Sequence, residues 1–104
     1  MALISAPAAA DLVAATGTVL LDVRTVPEFD AARIAGAMLA DWYRPDFTDQ
    51  IGGLDPNAPT VVYCRTGQRS ADAARLMEAL GFTEVYDMAG GIVAWYEAGL
   101  PIEQ

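Results

Sequence analysis

The feature that most restricts the fold of this chain is the alternation of short apolar runs with stretches of helical periodicity. Residues 19–23 and 60–63 are largely apolar runs, which are typical of strands buried on both faces of a sheet. Helices are predicted at residues 7–15, 27–33, 70–80 and 92–98, and further short strands at 3–4, 37–39 and 84–88. Strands that alternate with helices pair in parallel through right-handed crossovers. The pattern therefore predicts an α/β fold.

The length of the chain suits one domain, residues 1–104, and its hydrophobic fraction of 54% can supply a core without disulfides or metals. Residues 41–54 are predicted to be irregular apart from a helical turn. The side chains expected in the core include Ala73, Leu76, Met77 and Leu80 of the 70–80 helix, together with Met38, Met88 and Trp95.

The net charge of −8 argues against nucleic acids and anionic membranes as partners, because binding to them requires clustered Lys and Arg. No apolar run approaches the length of a membrane span. The N-terminal segment lacks a basic region and is interrupted by Asp11, so we expect no signal peptide. These features together favour a reducing, cytoplasmic location.

The chain contains one cysteine, Cys64, and no histidine. A single cysteine cannot form an internal disulfide. The lack of histidine excludes a His/Cys zinc site, a Ser-His-Asp triad and a Cys-His pair. No metal and no cofactor is expected. Any chemistry at Cys64 must therefore activate the thiol without an imidazole.

Cys64 stands at the carboxyl end of the best predicted strand, where open α/β sheets bind ligands. The chain must then turn back into a helix, and Gly67 makes that turn easier because glycine tolerates unusual backbone angles. Such a loop directs backbone N–H groups into a concavity that binds anions, and Arg65 and Arg69 flank it. A nucleophilic thiolate would be stabilised there. The alternative interpretation is a buried structural cysteine beside a solvated loop.

Four segments, in order along nearly the whole chain, resemble the rhodanese family. They are residues 20–29 (LLDVRTVPEF), 33–37 (RIAGA), 63–70 (YCRTGQRS) and 88–101 (MAGGIVAWYEAGLP). The resemblance implies a doubly wound, rhodanese-like α/β fold with a central parallel sheet of about five strands and helices on both faces. It also implies transfer of sulfane sulfur, with Cys64 as the nucleophile and persulfide carrier.

The resemblance further implies roles for residues around Cys64. Asp22 would help to hold the loop, and Arg24 would form an ion pair. The residues that would form the substrate-binding loop are Arg65, Thr66, Gly67, Gln68, Arg69 and Ser70. The expected partners are a small-molecule sulfur donor, such as thiosulfate or a persulfide, and a cyanide or thiol acceptor, with a protein acceptor as a further option.

Three positions depart from the family pattern. Arg33 replaces the usual histidine and Ala35 the usual proline, and we interpret the change at Arg33 as a structural variation. Glu28 stands where two-domain thiosulfate enzymes tend to carry an arginine, and we expect Glu28 and Asp30 to lie on a solvated helix face. Trp42 and Tyr43 are expected either to line the mouth of the pocket or to pack apart from it.

Three functions are considered. The first is a sulfurtransferase with ping-pong kinetics, and the second is a sulfur carrier or binding module in a larger relay. The third is a phosphatase or arsenate reductase on the same loop architecture. Cysteine phosphatases place one residue more before their phosphate-gripping arginine than the four that separate Cys64 from Arg69 here. Ser70 occupies that arginine's position and lacks a charged donor fork, so the third function is disfavoured.

Overall fold

A five-stranded, all-parallel sheet forms the centre of the computed structural model, which describes residues 1–104. The strands are β1 (Ala2–Ile4), β2 (Val19–Asp22), β3 (Met38–Leu39), β4 (Thr60–Tyr63) and β5 (Val85–Met88). Their order across the sheet is β1-β5-β4-β2-β3, so β4 lies at the centre between β5 and β2. The predicted α/β architecture is confirmed.

The chain also forms five helices. They are α1 (Ala6–Val13), α2 (Val26–Ala31), α3 (Phe47–Ile51), α4 (Gln68–Ala79) and α5 (Gly91–Glu97). The buried side chains of α3 and α4 pack on one face of the sheet, and those of α1 and α5 pack on the other. No helix combines the length and the apolar character that a bilayer crossing requires.

The central strand β4 feeds both cores, because successive side chains of a strand point to opposite faces. Val61 and Tyr63 are buried in the core shared with α1 and α5. Val62 and the next residue of that set, Cys64, are buried in the core shared with α3 and α4. The register of β4 therefore places the cysteine on the α4 side of the sheet, directly beyond the end of the strand.

The predicted core is correct except at two positions. Met77, Met88 and Trp95 are buried, as expected. Met38 is 48% exposed, because β3 is a two-residue strand at the edge of the sheet. Leu80 is 47% exposed, because it is the C-cap residue of α4 and lies beyond the last turn that packs on the sheet.

Candidate active site

The Cys64 side chain is buried at the base of the loop that joins β4 to α4. Cys64 is only 1% exposed. The backbone N–H of Gly67 donates a hydrogen bond to the Cys64 Sγ at 3.0 Å. The Oγ of Ser70 lies 3.5 Å from the same sulfur. The sulfur therefore faces one backbone donor and one hydroxyl at the N-terminus of a 12-residue helix.

Gly67 makes this geometry possible. It is the N-cap of α4 and adopts a φ of 111°, in the left-handed region that favours glycine. A Cβ at this position would lie 3.4 Å from the backbone nitrogen of Gly90, so the loop and the start of α5 approach each other closely. The turn predicted at Gly67 is present, and α4 begins immediately after it, two residues earlier than predicted.

The start of α5 holds the Cys64 loop in place through backbone hydrogen bonds. The N–H of Ile92 donates to the carbonyl of Cys64 at 2.9 Å, and the N–H of Val93 donates to the carbonyl of Arg65 at 3.2 Å. A Cβ on Gly91 would lie 2.4 Å from both carbonyl oxygens. Gly91 must therefore lack a side chain for α5 to hold the loop.

Arg69 does not stand free over the loop. Its Nη1 and Nη2 donate to the two carboxylate oxygens of Glu28 at 2.7 and 2.9 Å, and its guanidinium lies 5.6 Å from the centre of the Tyr43 ring. The side chains of Arg69 and Glu28 are 15% and 27% exposed. The prediction that Glu28 lies on a solvated helix face is therefore wrong: it is the partner of the loop arginine.

Glu28 also receives hydrogen bonds from its own helix start. The backbone N–H and the hydroxyl of Thr25 both donate to its Oε1, at 3.1 and 3.0 Å. The hydrogen bond from Arg69, aided by those from Thr25, lowers the pKa of Glu28 to about 2. The same contact raises the pKa of Arg69 above its usual value. This ion pair remains charged at any pH near neutrality.

The side chain of the next residue, Ser70, points into the core and donates a hydrogen bond to a second carboxylate, that of Asp87. Ser70 is fully buried, and its hydroxyl donates to Oδ1 of Asp87 at 2.6 Å. Asp87 is 2% exposed, forms no ion pair, and has this as its only side-chain hydrogen bond. Burial raises the pKa of Asp87 above its usual value. Sequence reasoning missed Asp87, whose only signal was a carboxylate in the middle of an apolar strand.

Asp22 and Arg24 form a buried ion pair beside β4. The Nη2 of Arg24 donates to Asp22 at 2.8 Å and to the carbonyl of Ala32 at 2.6 Å. Asp22 also accepts from the backbone N–H of Arg24 at 2.9 Å. No hydrogen bond joins this pair to residues 64–70, so it stabilises the end of β2 and the segment after α2 rather than the loop itself.

The remaining loop side chains lie on the surface. Arg65, Thr66 and Gln68 are exposed, and Arg65 forms neither a hydrogen bond nor an ion pair through its side chain. Thr66, Gly67 and Gln68 line a surface pocket of about 460 Å³. The charged residues in the lining of that pocket are Asp72, Arg75 and Asp87.

The protein is thus an α/β domain with a parallel sheet. A single buried cysteine follows its central strand and lies in a tight loop at a helix N-terminus. Residues 5–98 match the rhodanese-like domain family, and the chain belongs to that family. It is similar to the thiosulfate sulfurtransferase GlpE of Actinobacillus succinogenes, with 34% identity over 94 residues that cover 89% of this chain and 82% of that protein.

Two further similarities extend this result. The probable adenylyltransferase/sulfurtransferase MoeZ of Mycobacterium tuberculosis is 37% identical over 76 residues, or 73% of this chain. The match spans only 19% of the length of MoeZ. The crystal structure of a rhodanese-like domain protein from Staphylococcus aureus superposes over the full length of both chains with a TM-score of 0.82 and 27% identity.

Proposed function

We propose that the protein is a sulfurtransferase in which Cys64 takes a sulfane sulfur from a donor and carries it as a persulfide. The observation that carries the proposal is the environment of the Cys64 sulfur, which accepts the Gly67 N–H at 3.0 Å at the start of α4. A backbone donor and a helix N-terminus both favour an anionic sulfur, which is the nucleophilic form. The similarity to the GlpE proteins supports the same chemistry.

With thiosulfate as the donor, the Cys64 thiolate attacks the terminal sulfur of thiosulfate. The new S–S bond forms as the S–S bond of thiosulfate breaks, and sulfite leaves with the bonding electron pair. In the second half-reaction, cyanide or a thiolate attacks the outer sulfur of the Cys64 persulfide. The products are thiocyanate or a new persulfide, together with the regenerated Cys64 thiolate. The first product leaves before the acceptor reacts, so ping-pong kinetics follow.

The exposed side chains of the loop are the groups that a donor meets first. Arg65 carries an unpaired positive charge, whereas the charge of Arg69 is largely balanced by Glu28. We therefore assign the first electrostatic contact with an anionic donor to Arg65, with Thr66 and Gln68 as neutral neighbours. Asp22 and Arg24 act as structural support for the strand that ends beside the loop.

A sulfur carrier that relays sulfur to a partner is the second candidate. The similarity to one part of the much longer MoeZ favours it, since the name of MoeZ joins a sulfurtransferase to an adenylyltransferase. In that case Cys64 would accept sulfur stoichiometrically but turn over slowly with small acceptors. Phosphatase activity is not proposed, because Ser70 stands in the place of the phosphate-gripping arginine and is buried against Asp87.

The test of the proposed function is the intact mass of the protein before and after incubation with thiosulfate. The wild-type protein should gain the mass of one sulfur atom, and addition of cyanide should remove it with release of thiocyanate. Cys64→Ser should gain nothing while keeping the circular dichroism spectrum of the wild type. Sulfur transfer by Cys64→Ser would refute the assignment. Loading without multiple turnovers would select the carrier over the enzyme.

A further inference from the structure

The Ser70 hydroxyl is placed between three hydrogen-bond acceptors but has a single proton. Its Oγ lies 2.6 Å from Oδ1 of Asp87, 3.2 Å from the carbonyl oxygen of Gly67 and 3.5 Å from Sγ of Cys64. Only one of these acceptors can hold the proton in a strong hydrogen bond at a time. The chemistry at Cys64 needs the sulfur to become anionic, so the direction of this one proton matters there.

An ionised Asp87 takes the Ser70 proton away from the sulfur. The distance of 2.6 Å is that of a charge-assisted O–H···O⁻ hydrogen bond. In this arrangement the Ser70 oxygen can only accept from Cys64, which stabilises the protonated thiol. A protonated Asp87 reverses the order, because its own O–H can donate to the Ser70 oxygen. The Ser70 hydroxyl is then released to donate to an anionic sulfur.

We propose that Asp87 is a positioning residue for sulfur transfer, whose carboxyl group decides through Ser70 whether the Cys64 sulfur receives a hydrogen bond from the Ser70 hydroxyl. The inference rests on the proposed function, because it concerns the anionic sulfur that this function requires. Asp87 forms no hydrogen bond with the sulfur and would act only through Ser70, its one side-chain hydrogen-bond partner. The surface pocket of about 460 Å³ includes Asp87 in its lining, which gives solvent protons a route to the carboxyl group.

The positive groups near Asp87 pair with other carboxylates, which is consistent with the raised pKa of Asp87. From α4, Asp72 and Arg75 line the same pocket and pair with each other at 3.2 Å. From the side of β1, Met1 lines the pocket, and its amino group pairs with Glu78 of α4. Both positive groups are thus engaged elsewhere. Burial raises the pKa of Asp87, opposed by the Ser70 hydrogen bond and by Arg75.

The experiment is a pH titration of the ultraviolet absorbance of the Cys64 thiolate, with Cys64→Ser as the blank for tyrosine. This readout suits the chain because Cys64 is its only cysteine. In Asp87→Asn the side-chain amide replaces the protonated carboxyl as the donor to Ser70. The thiolate midpoint should fall by about one pH unit, the size of a hydrogen bond to a charged group. Asp87→Leu, which cannot hold the Ser70 proton, should shift it in the same direction.

A double-mutant cycle separates the Ser70 route from charge acting through space. In a Ser70→Ala background, the shift caused by Asp87→Asn should shrink to less than half, since the connecting hydroxyl is gone. Asp72→Asn is the matched control, because it removes one charge from the same pocket without touching Ser70, and its shift should be smaller. An unchanged midpoint in Asp87→Asn and Asp87→Leu overturns the proposal. So does an equal shift in both backgrounds.

The titration does not depend on sulfur transfer, so the two proposals fail separately. If the protein acquires no sulfur from any donor, the proposed function fails while the link between Asp87 and the thiolate can still be measured. If sulfur loads normally but the thiolate midpoint ignores Asp87, only the present inference fails.

Discussion

Two consecutive residues at the start of α4 bind two carboxylates that behave in opposite ways. Arg69 points outward to Glu28 of α2, and Ser70 points inward to Asp87 of β5. Glu28 receives two guanidinium N–H bonds and two from Thr25, and its pKa is lowered to about 2. Asp87 receives one hydroxyl bond and no cation, and its pKa is raised.

The two carboxylates differ both in burial and in the number and charge of their hydrogen-bond donors, and these differences move their pKa values in opposite directions. Four hydrogen bonds and a positive charge outweigh the partial burial of Glu28. A single neutral hydroxyl does not outweigh the full burial of Asp87. The outer carboxylate is therefore a fixed charge that holds an arginine, whereas the inner one takes up a proton more readily than an ordinary aspartate does.

The largest effect is expected from Gly91→Ala. This substitution should displace the Cys64 loop and so disturb the contacts of Arg69 with Glu28 and of Ser70 with Asp87. The added Cβ would stand 2.4 Å from the carbonyl oxygens of Cys64 and Arg65, at a φ of +60°. Left-handed strain and overpacking together should cost roughly 2–5 kcal/mol of unfolding free energy. Denaturant melts and persulfide loading by mass measure the two consequences. Loading should be lost even where the variant is still folded.

Gly99→Ala is the control for that variant. Gly99 also has a positive φ, +79°, but nothing lies within 4 Å of its Cβ position. It should show only the backbone strain, about 1–2 kcal/mol, and should load sulfur normally. Equal losses in the two variants would mean that the contact between α5 and the loop contributes nothing beyond strain.

The next largest effect concerns the contributions of Arg65 and Arg69 to donor binding. Arg65→Ala should raise the apparent KM for thiosulfate by about tenfold, the lower end expected for loss of a charged contact. Arg69→Ala should also raise it, because the Glu28 carboxylate beside the loop would be left unpaired and would repel the anionic donor. Steady-state kinetics with thiosulfate and cyanide give both values.

The double variant Glu28→Gln/Arg69→Ala distinguishes the two causes, because it removes the ion pair without changing the net charge. Its KM should return most of the way to the wild-type value if Arg69 serves mainly to neutralise Glu28. A KM that stays as high as in Arg69→Ala would instead show that Arg69 contacts the donor itself. Unchanged kinetics in Arg65→Ala would contradict the role assigned to Arg65.

The sequence was sufficient to predict the order of strands and helices along the chain and the position of Cys64 at the end of a strand. These features depend on local periodicity and on one glycine-containing turn. It could not supply the partner of Arg69, because Glu28 lies 41 residues away and its helix face looks solvated in isolation. Asp87 was missed for the same reason: its pairing with Ser70 depends on how β5 aligns beside β4 and under α4. The exposure of Met38 depends on β3 being an edge strand.

A smaller effect is expected from Glu28→Gln on stability and its pH dependence. At neutral pH the variant should lose about 1 kcal/mol, because the pair is partly solvent-exposed and the amide can still accept hydrogen bonds. The folded-state pKa of about 2 lies below the ordinary value of 4.5, so the native state holds its proton less tightly than the unfolded state does. The stabilisation is therefore complete above pH 4.5 and lost as the pH falls towards 2.

Thermal or urea melts between neutral and acidic pH measure this difference. The two proteins should converge in stability as the pH approaches the folded-state pKa of Glu28. A difference that persists unchanged to the lowest pH at which the protein folds would show that the substitution acts through shape rather than charge.

The smallest effect, and one of opposite sign, is expected from Asp87→Asn. The folded-state pKa of Asp87 is raised above its ordinary value of 3.8, so the native state binds the proton more tightly than the unfolded state does. The wild type therefore loses stability as the pH rises from 3.8 through the folded-state pKa, while the variant, which cannot ionise, does not. The variant should equal the wild type in acid and exceed it slightly at neutral pH. Because the expected gain is smaller than the Glu28→Gln loss, it is best measured as the pH dependence of the difference in urea midpoints. A wild type that gains stability over the variant with rising pH would mean that Asp87 is held as a favourable charge, and the contrast with Glu28 would fail.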